Sequence, residues 1–402
     1  MSQAADASTG ERALRLRFIA TICAGSFLLF LVQPMVARMA LPRLGGAPAV
    51  WNSAMVVYQA LLLGGYAYAH WLGRFSGRVQ AGIHLFLFIA AALTLPVGLT
   101  ASLPSPDANP IFWVPYLLLT SIGPVFFVVA AQAPLMQRWF TLSGGGDPYP
   151  LYAASNIGSF GGLIAYPLVL EPLLPVAIQS QLWSAGYLFV LGLVALSAFL
   201  MPKAAALSPP TVQETTPPDW SIVGRWIVLA AVPSGLMLST SLHLTTDIVA
   251  MPLLWVLPLG LYLLSFSAAF ATDRRLADFC RRFAPFVILM AACSAFMDST
   301  RFPFSFALLT LVNLFVVSVT LHSEMFARRP HPEHLTRFYL AMSVGGVIGG
   351  IFCAILAPLI FDWTYEHPIL IIAAALLLTP RAIFESSQKL LESPNSRAVA
   401  AA

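Results

Sequence analysis

Apolar runs of about 20 residues, each long enough to cross a bilayer as one helix, recur along the whole chain. Twelve can be placed, at approximately 17–42, 48–72, 80–101, 110–137, 150–170, 178–201, 223–247, 250–272, 282–298, 303–327, 336–360 and 367–380. Hydrocarbon offers no water to the backbone, so every N–H and C=O of such a run must be bonded internally, and an α-helix is the expected form. Composition agrees: 58% of residues are hydrophobic, 9% are charged, and mean hydropathy is +0.81. A soluble domain of this length cannot hide that much apolar surface. The expected fold class is therefore an all-α polytopic membrane protein with 12 transmembrane helices. Its first run, Phe18 to Ala40, exceeds a signal-peptide core and lacks a small-residue cleavage site, so it is read as an uncleaved span.

Charge fixes an orientation. With the N-terminus cytoplasmic, all but three of the 21 Lys and Arg residues fall in cytoplasmic loops or tails, leaving Arg38, Arg43 and Arg301 outside. That bias is the positive-inside pattern, and it puts both termini in the cytoplasm of a cell whose inner (cytoplasmic) membrane holds the protein. The net charge of +4 is scattered among loops, so no nucleic-acid partner is expected. Trp51, Trp113, Trp255 and Trp363 fall near the ends of spans, as interfacial anchors do.

The chain also repeats itself. Tyr152 to Pro167 (YAASNIGSFGGLIAYP) is echoed by Leu340 to Pro358 (LAMSVGGVIGGIFCAILAP). A shift of 188 brings Gly158 onto Gly346 and Gly161-Gly162 onto Gly349-Gly350, six small residues expected to let helices pack closely. For the first span a shift of 210 brings Gly25 onto Gly235, Gln33 onto His243 and Pro42 onto Pro252. The expected division is a six-helix bundle at 1–202, a cytoplasmic linker at 203–222 containing PPTVQETTPP, a second bundle at 223–380 and a flexible cytoplasmic tail at 381–402. Two like-oriented halves of six helices describe a major-facilitator-like architecture.

Ionisable groups inside a membrane are costly and mark function. On the outer side Arg38 and Asp247 end spans one and seven, and a gate ion pair between them is expected. On the inner side Arg138 and Glu324, ending spans four and ten, form the matching expectation. Between them lie Gln33, Asn52, Gln59, Gln132, Asn156, His243 and Asn313, neutral or weakly basic groups placed to line a substrate cavity between the halves. No catalytic constellation and no cofactor motif is found. The four cysteines lie far apart, and His331 and His334 have only Glu333 near them, so no metal site is expected.

Several long motifs carry a resemblance. FLLFLVQPMVARMALPRLGGAPAVWN (Phe27 to Asn52), YQALLLGGYAYAH (Tyr58 to His70), APLMQRWF (Ala133 to Phe140), DPYPLYAASNIGSFGGLIAYPLVLEPLL (Asp147 to Leu174), PLLWVLPLGLYLLSF (Pro252 to Phe266) and HSEMFARRP (His322 to Pro330) stand in that order. Together with LTRFYLAMSVGGVIGG (Leu335 to Gly350), they make residues 17–370 resemble the membrane region of the fused major-facilitator/spermidine-synthase proteins. Many members of that family carry a C-terminal aminopropyltransferase-like domain. The tail here holds no Gly-rich loop after a strand and no room for a sheet, so this chain is expected not to be an enzyme.

Two functions follow as expectations. The first is a transporter, embedded in the lipid bilayer, of a small polar or amphipathic metabolite, with a polyamine suggested by the resemblance. Against a polyamine, the mid-membrane region offers no buried carboxylate to meet a polycation. The second is a non-catalytic membrane subunit that recruits a separately encoded aminopropyltransferase-like enzyme.

Overall fold

A computed structural model describes residues 2–44, 48–101, 110–202, 217–248, 254–271, 273–294, 302–331 and 334–391. Of residues 2–10, 48, 49, 110, 111, 149, 150, 247, 248 and 379–391 it describes the backbone alone. Among the described residues the chain is twelve helices and no strand. They are α1 (Ser2–Leu44), α2 (Pro48–Leu72), α3 (Gly77–Ala92), α4 (Pro110–Leu142), α5 (Tyr149–Ala165), α6 (Val176–Phe199), α7 (Trp220–His243), α8 (Val256–Phe270), α9 (Arg275–Ser294), α10 (Pro303–Ala327), α11 (Leu335–Ile351) and α12 (Glu366–Leu391). Single π turns carry α5, α7 and α11 onward at Tyr166–Leu170, Leu244–Ile248 and Phe352–Leu356. Prolines lie inside α1, α4, α7 and α9, where neighbouring helices make such breaks tolerable in lipid.

Seven of these helices are long and apolar enough to span a membrane alone. The others are shorter or more polar; α2, for one, carries the buried Asn52 and Ser53. The outer faces of the bundle are greasy, with Phe86, Phe199, Phe304 and Leu376 exposed, as lipid contact requires. Residues 203–216 of the expected linker and 392–402 of the expected tail lie outside the described residues, while α12 continues as a helix past 380 to Leu391.

The packing is two-fold. The main helix pairs of the first six have counterparts in the last six: α1 on α5 as α7 on α11, α2 on α4 as α8 on α10, α3 on α6 as α9 on α12. Across the middle, α2 meets α11 and α5 meets α8, two seams that exchange under the same symmetry. This is the major facilitator fold.

The symmetry corrects the register read from the sequence. A Cβ on Gly158 or Gly162 would come within 3.0 Å of the carbonyl oxygen of Cys23 or Phe27. In the second half the equivalent crowding is at Gly345, against Ile227, and at Gly349, against Ala231. The repeat therefore runs at 187 for α5 onto α11, not 188, and at 204 for α1 onto α7, not 210. Gly346 lies one position off the packed face: a Cβ there would meet only Ser234 Oγ, at 4.0 Å. Gly161 is likewise roomy, and Gly350 is pressed instead by the side chain of Gln59 from the opposite half. Matching the most glycines to glycines does not match the contacts, because only those facing the neighbouring backbone need to be small.

Candidate functional site

Between the halves lies a cavity of about 140 Å³. From the first half it is lined by Ser26, Phe30 and Gln33 of α1, Tyr58, Gln59 and Tyr66 of α2, Phe126 and Val129 of α4, and Tyr152, Ser155, Asn156 and Ser159 of α5. From the second half come Met237 of α7, Tyr262 and Phe266 of α8, and Tyr339, Met342, Ser343 and Gly346 of α11. The corrected register explains this list. At a shift of 204 Gln33 matches Met237, and at 187 Tyr152, Ser155, Asn156 and Ser159 match Tyr339, Met342, Ser343 and Gly346. The two walls are the same faces of equivalent helices.

Three of the seven amide and imidazole side chains expected at the cavity line it: Gln33, Gln59 and Asn156. The other four are buried or engaged elsewhere. Gln132 donates through Nε2 to Thr21 O at 2.6 Å and folds against Gly25, where any side chain would collide with it. His243 stacks on His367 of α12, ring centroids 5.1 Å apart, and so faces its own bundle. Its matching with Gln33 disappears with the shift of 210. Asn52 and Asn313 are buried, but neither touches the cavity, and both polar atoms of the Asn313 amide lack a protein partner.

One end of the cavity is closed by aromatic rings. Tyr152 and Tyr339, partners under the symmetry, stack across the seam with centroids 5.4 Å apart and planes at 16°. Phe270 and Phe266 pack on Tyr152 from α8, and Tyr66 on Tyr339 from α2. Hydrogen bonds between the halves reinforce that end. Tyr339 donates its hydroxyl to Gln137 Oε1 at 2.8 Å, fully buried, and His70 Nδ1 shares a hydrogen with Thr336 Oγ1 at 2.8 Å. Deeper in, Gln59 Nε2 donates to Ser234 Oγ at 3.0 Å, and Ser234 in turn donates to Gly346 O.

Of the expected gate ion pairs, the outer one falls on a side chain outside the described residues, and the charges of the inner one have other partners. Arg38 lies 3.5 Å from Glu171, at the far end of α5 in the same half; the side chain of Asp247 lies outside the described residues. Arg138 donates to the Gly73 carbonyl at 2.6 Å, at the C-terminal end of α2 where exposed carbonyls attract cations. Glu324 meets Arg328 one turn along its own helix at 2.5 Å, and Arg225 of α7 at 3.4 Å. Both inner charges thus find partners within their own half, where a helix turn or a helix end delivers them.

The tyrosines were missed in the sequence, where a ring in an apolar run looks like core. The available signal was Tyr152 and Tyr339 falling 187 apart, masked by the shift of 188, which aligns one more glycine.

No protein-family model and no curated protein matches the chain. Solved structures do. The human organic anion transporter MFSD10 (TETRAN) is 13% identical over 92% of this chain and 99% of that one, with a TM-score of 0.57. Tetrameric PepTSo2 is 12% identical over 95% and 100%, with a TM-score of 0.58. The inward open xylose transporter XylE from E. coli is 13% identical over 91% and 95%, with a TM-score of 0.54. At such identities the likeness is one of fold.

Proposed function

We propose that this chain is a transporter that carries a small polar or amphipathic molecule through the cavity between its halves. The observation behind this reading is the cavity itself. It is lined by equivalent faces of both halves, and at one end the halves meet through side-chain contacts. Such contacts can break while each bundle stays intact, as rocking of one half against the other requires. A scaffold for a separate enzyme needs no such interior, which favours transport over recruitment. The charge bias supports an inner-membrane setting with both termini cytoplasmic, which makes the closed end the cytoplasmic one. The sequence motifs support kinship with the fused major-facilitator/spermidine-synthase proteins, but no acidic side chain lines the described cavity, so a polyamine is a poor fit. Flux of candidate solutes into proteoliposomes tests the proposal: uptake that saturates and is lost in Gln33→Ala is expected, and a protein that binds solutes without moving any of them would overturn it.

A further inference from the structure

The cavity wall narrows the class of molecule it can hold, an inference that rests on the cavity being the transport site. Among the described lining residues there is no Asp, Glu, Lys, Arg or His. Three amide atoms at the wall, Gln33 Oε1, Gln59 Oε1 and Asn156 Nδ2, are buried with no hydrogen-bond partner in the protein. Gln59 is already committed to the seam, through its bond to Ser234 and its seat against Gly350. Gln33 and Asn156 are not. They are 4% and 5% exposed, and among the described residues the Gln33 amide makes one hydrogen bond, a long one of 3.5 Å to Leu29 O. A buried amide atom left unpaired costs free energy, which a ligand bearing the complementary group restores.

The rings define the remainder. Tyr152 and Tyr339 cover each other's faces, and Tyr58 lies over Phe126 with centroids 5.3 Å apart and planes at 27°. In each stacked pair one electron-rich face of either ring is spent on its partner and is not offered to a ligand, which leaves edges, where partial positive charge resides, as part of what these rings can present. Edges receive the face of a ligand ring in T-shaped contact and repel a cation. A site of open aromatic faces would do the reverse.

We infer that the cavity takes an uncharged aromatic molecule with a carboxamide or equivalent donor–acceptor group, the ring among the aromatic side chains of the wall and the polar group at the unpaired atom of Gln33 or of Asn156. Amines, polyamines and carboxylates are excluded because their charge would be stripped of water with no counter-charge to meet it.

A matched series tests this on the purified full-length protein: indole-3-acetamide, tryptamine and indole-3-acetate share one ring and differ in charge. Titration calorimetry should show the amide binding about a hundredfold more tightly than either charged analogue, the penalty for desolvating an unpaired ion. Gln33→Met or Asn156→Leu, whichever removes the partner of the carboxamide, should weaken the amide about tenfold, yet leave 3-methylindole, which keeps the ring N–H but lacks the carboxamide, bound as before. Tryptamine or indole-3-acetate binding as well as the amide overturns the inference, as does failure of the amide to bind. Equal losses for the amide and 3-methylindole in both variants also overturn it, since they would reduce the two amides to structural roles. The wild-type comparison stands even if a variant misfolds. Binding of the amide without flux in proteoliposomes would instead sink the transport reading and leave the ligand class intact, whereas flux of a charged analogue would do the opposite.

Discussion

Single alanine substitutions in the glycine-rich helices should separate glycines that touch a neighbouring backbone from those that do not. At Gly158 and Gly162 the added Cβ would lie under 3.0 Å from the carbonyl oxygens of Cys23 and Phe27. Backbone atoms cannot swing aside, so α1 must retreat along its whole contact with α5. Such overpacking costs about 1–3 kcal/mol, set against the ~1 kcal/mol that alanine gains over glycine within a helix. The net expectation is a loss of up to about 2 kcal/mol at each position. At Gly161 the nearest atom is a Phe27 ring carbon at 3.7 Å, an ordinary contact, so only the propensity gain remains and the protein should be slightly stabilised. The symmetry carries the argument to the second half: Gly345→Ala and Gly349→Ala should destabilise, and Gly346→Ala should not. Thermal unfolding of the purified variants in one detergent reads the order directly. If Gly346→Ala is as harmful as Gly158→Ala while Gly345→Ala is harmless, the register of 187 is wrong and the sequence-derived 188 stands.

Other expectations follow from the same contacts. Tyr339→Phe leaves the buried Gln137 Oε1 without its donor and should weaken closure of that end by about 1–3 kcal/mol, read as faster modification of a cysteine placed in the cavity. Arg38 and Glu171 are 48% and 28% exposed, so a double-mutant cycle on the purified protein should give a coupling below about 1 kcal/mol that fades with added salt. Asp219 caps α7, accepting from the backbone N–H and the hydroxyl of Ser221, and these bonds hold its carboxyl below the usual carboxylate range. A lowered folded value means that its stabilising effect is present above the ordinary carboxylate pKa and is lost as the pH falls through the lowered one. The protection of the Ser221 amide against hydrogen exchange, taken relative to the intrinsic rate at the same pH, should therefore fall in Asp219→Ala at neutral pH and in the parent only on acidification.

The helices, their number and the two-fold plan were legible because hydrophobic runs, prolines and basic loops report directly on what lipid demands of a chain. Register was not. A shift of 188 aligns three glycines where the adopted 187 aligns two, and in a sequence a glycine facing lipid or a side chain counts the same as one facing a carbonyl. For the polar side chains, the sequence told which were costly to bury but not which neighbour would satisfy them. Gln132 finds the Thr21 carbonyl because Gly25 leaves room for it, a three-way fit that no single span reveals. His243 finds a ring on α12, 124 positions away. Gln33 and Asn156 were legible as polar positions, and their unpaired atoms became visible only with the walls around them. The charges at the inner ends paired locally, Glu324 with Arg328 one turn away, where the expectation had reached across the molecule.

The central claim is that the cavity opens to each side of the membrane in turn, with the Tyr152–Tyr339 contact as the closure at one end. It is tested most directly by Ser155→Cys, a thiol in the cavity wall, in a background without Cys23, Cys280, Cys293 and Cys353. A membrane-impermeant thiol reagent is applied from each face in turn, first to this variant and then to the same variant carrying Tyr339→Ala. The account predicts labelling from both faces, and it predicts that Tyr339→Ala speeds labelling from the cytoplasmic face while labelling from the outer face does not gain. Labelling confined to one face in the variant that keeps Tyr339, or a ratio between the two faces that Tyr339→Ala leaves unchanged, would contradict it.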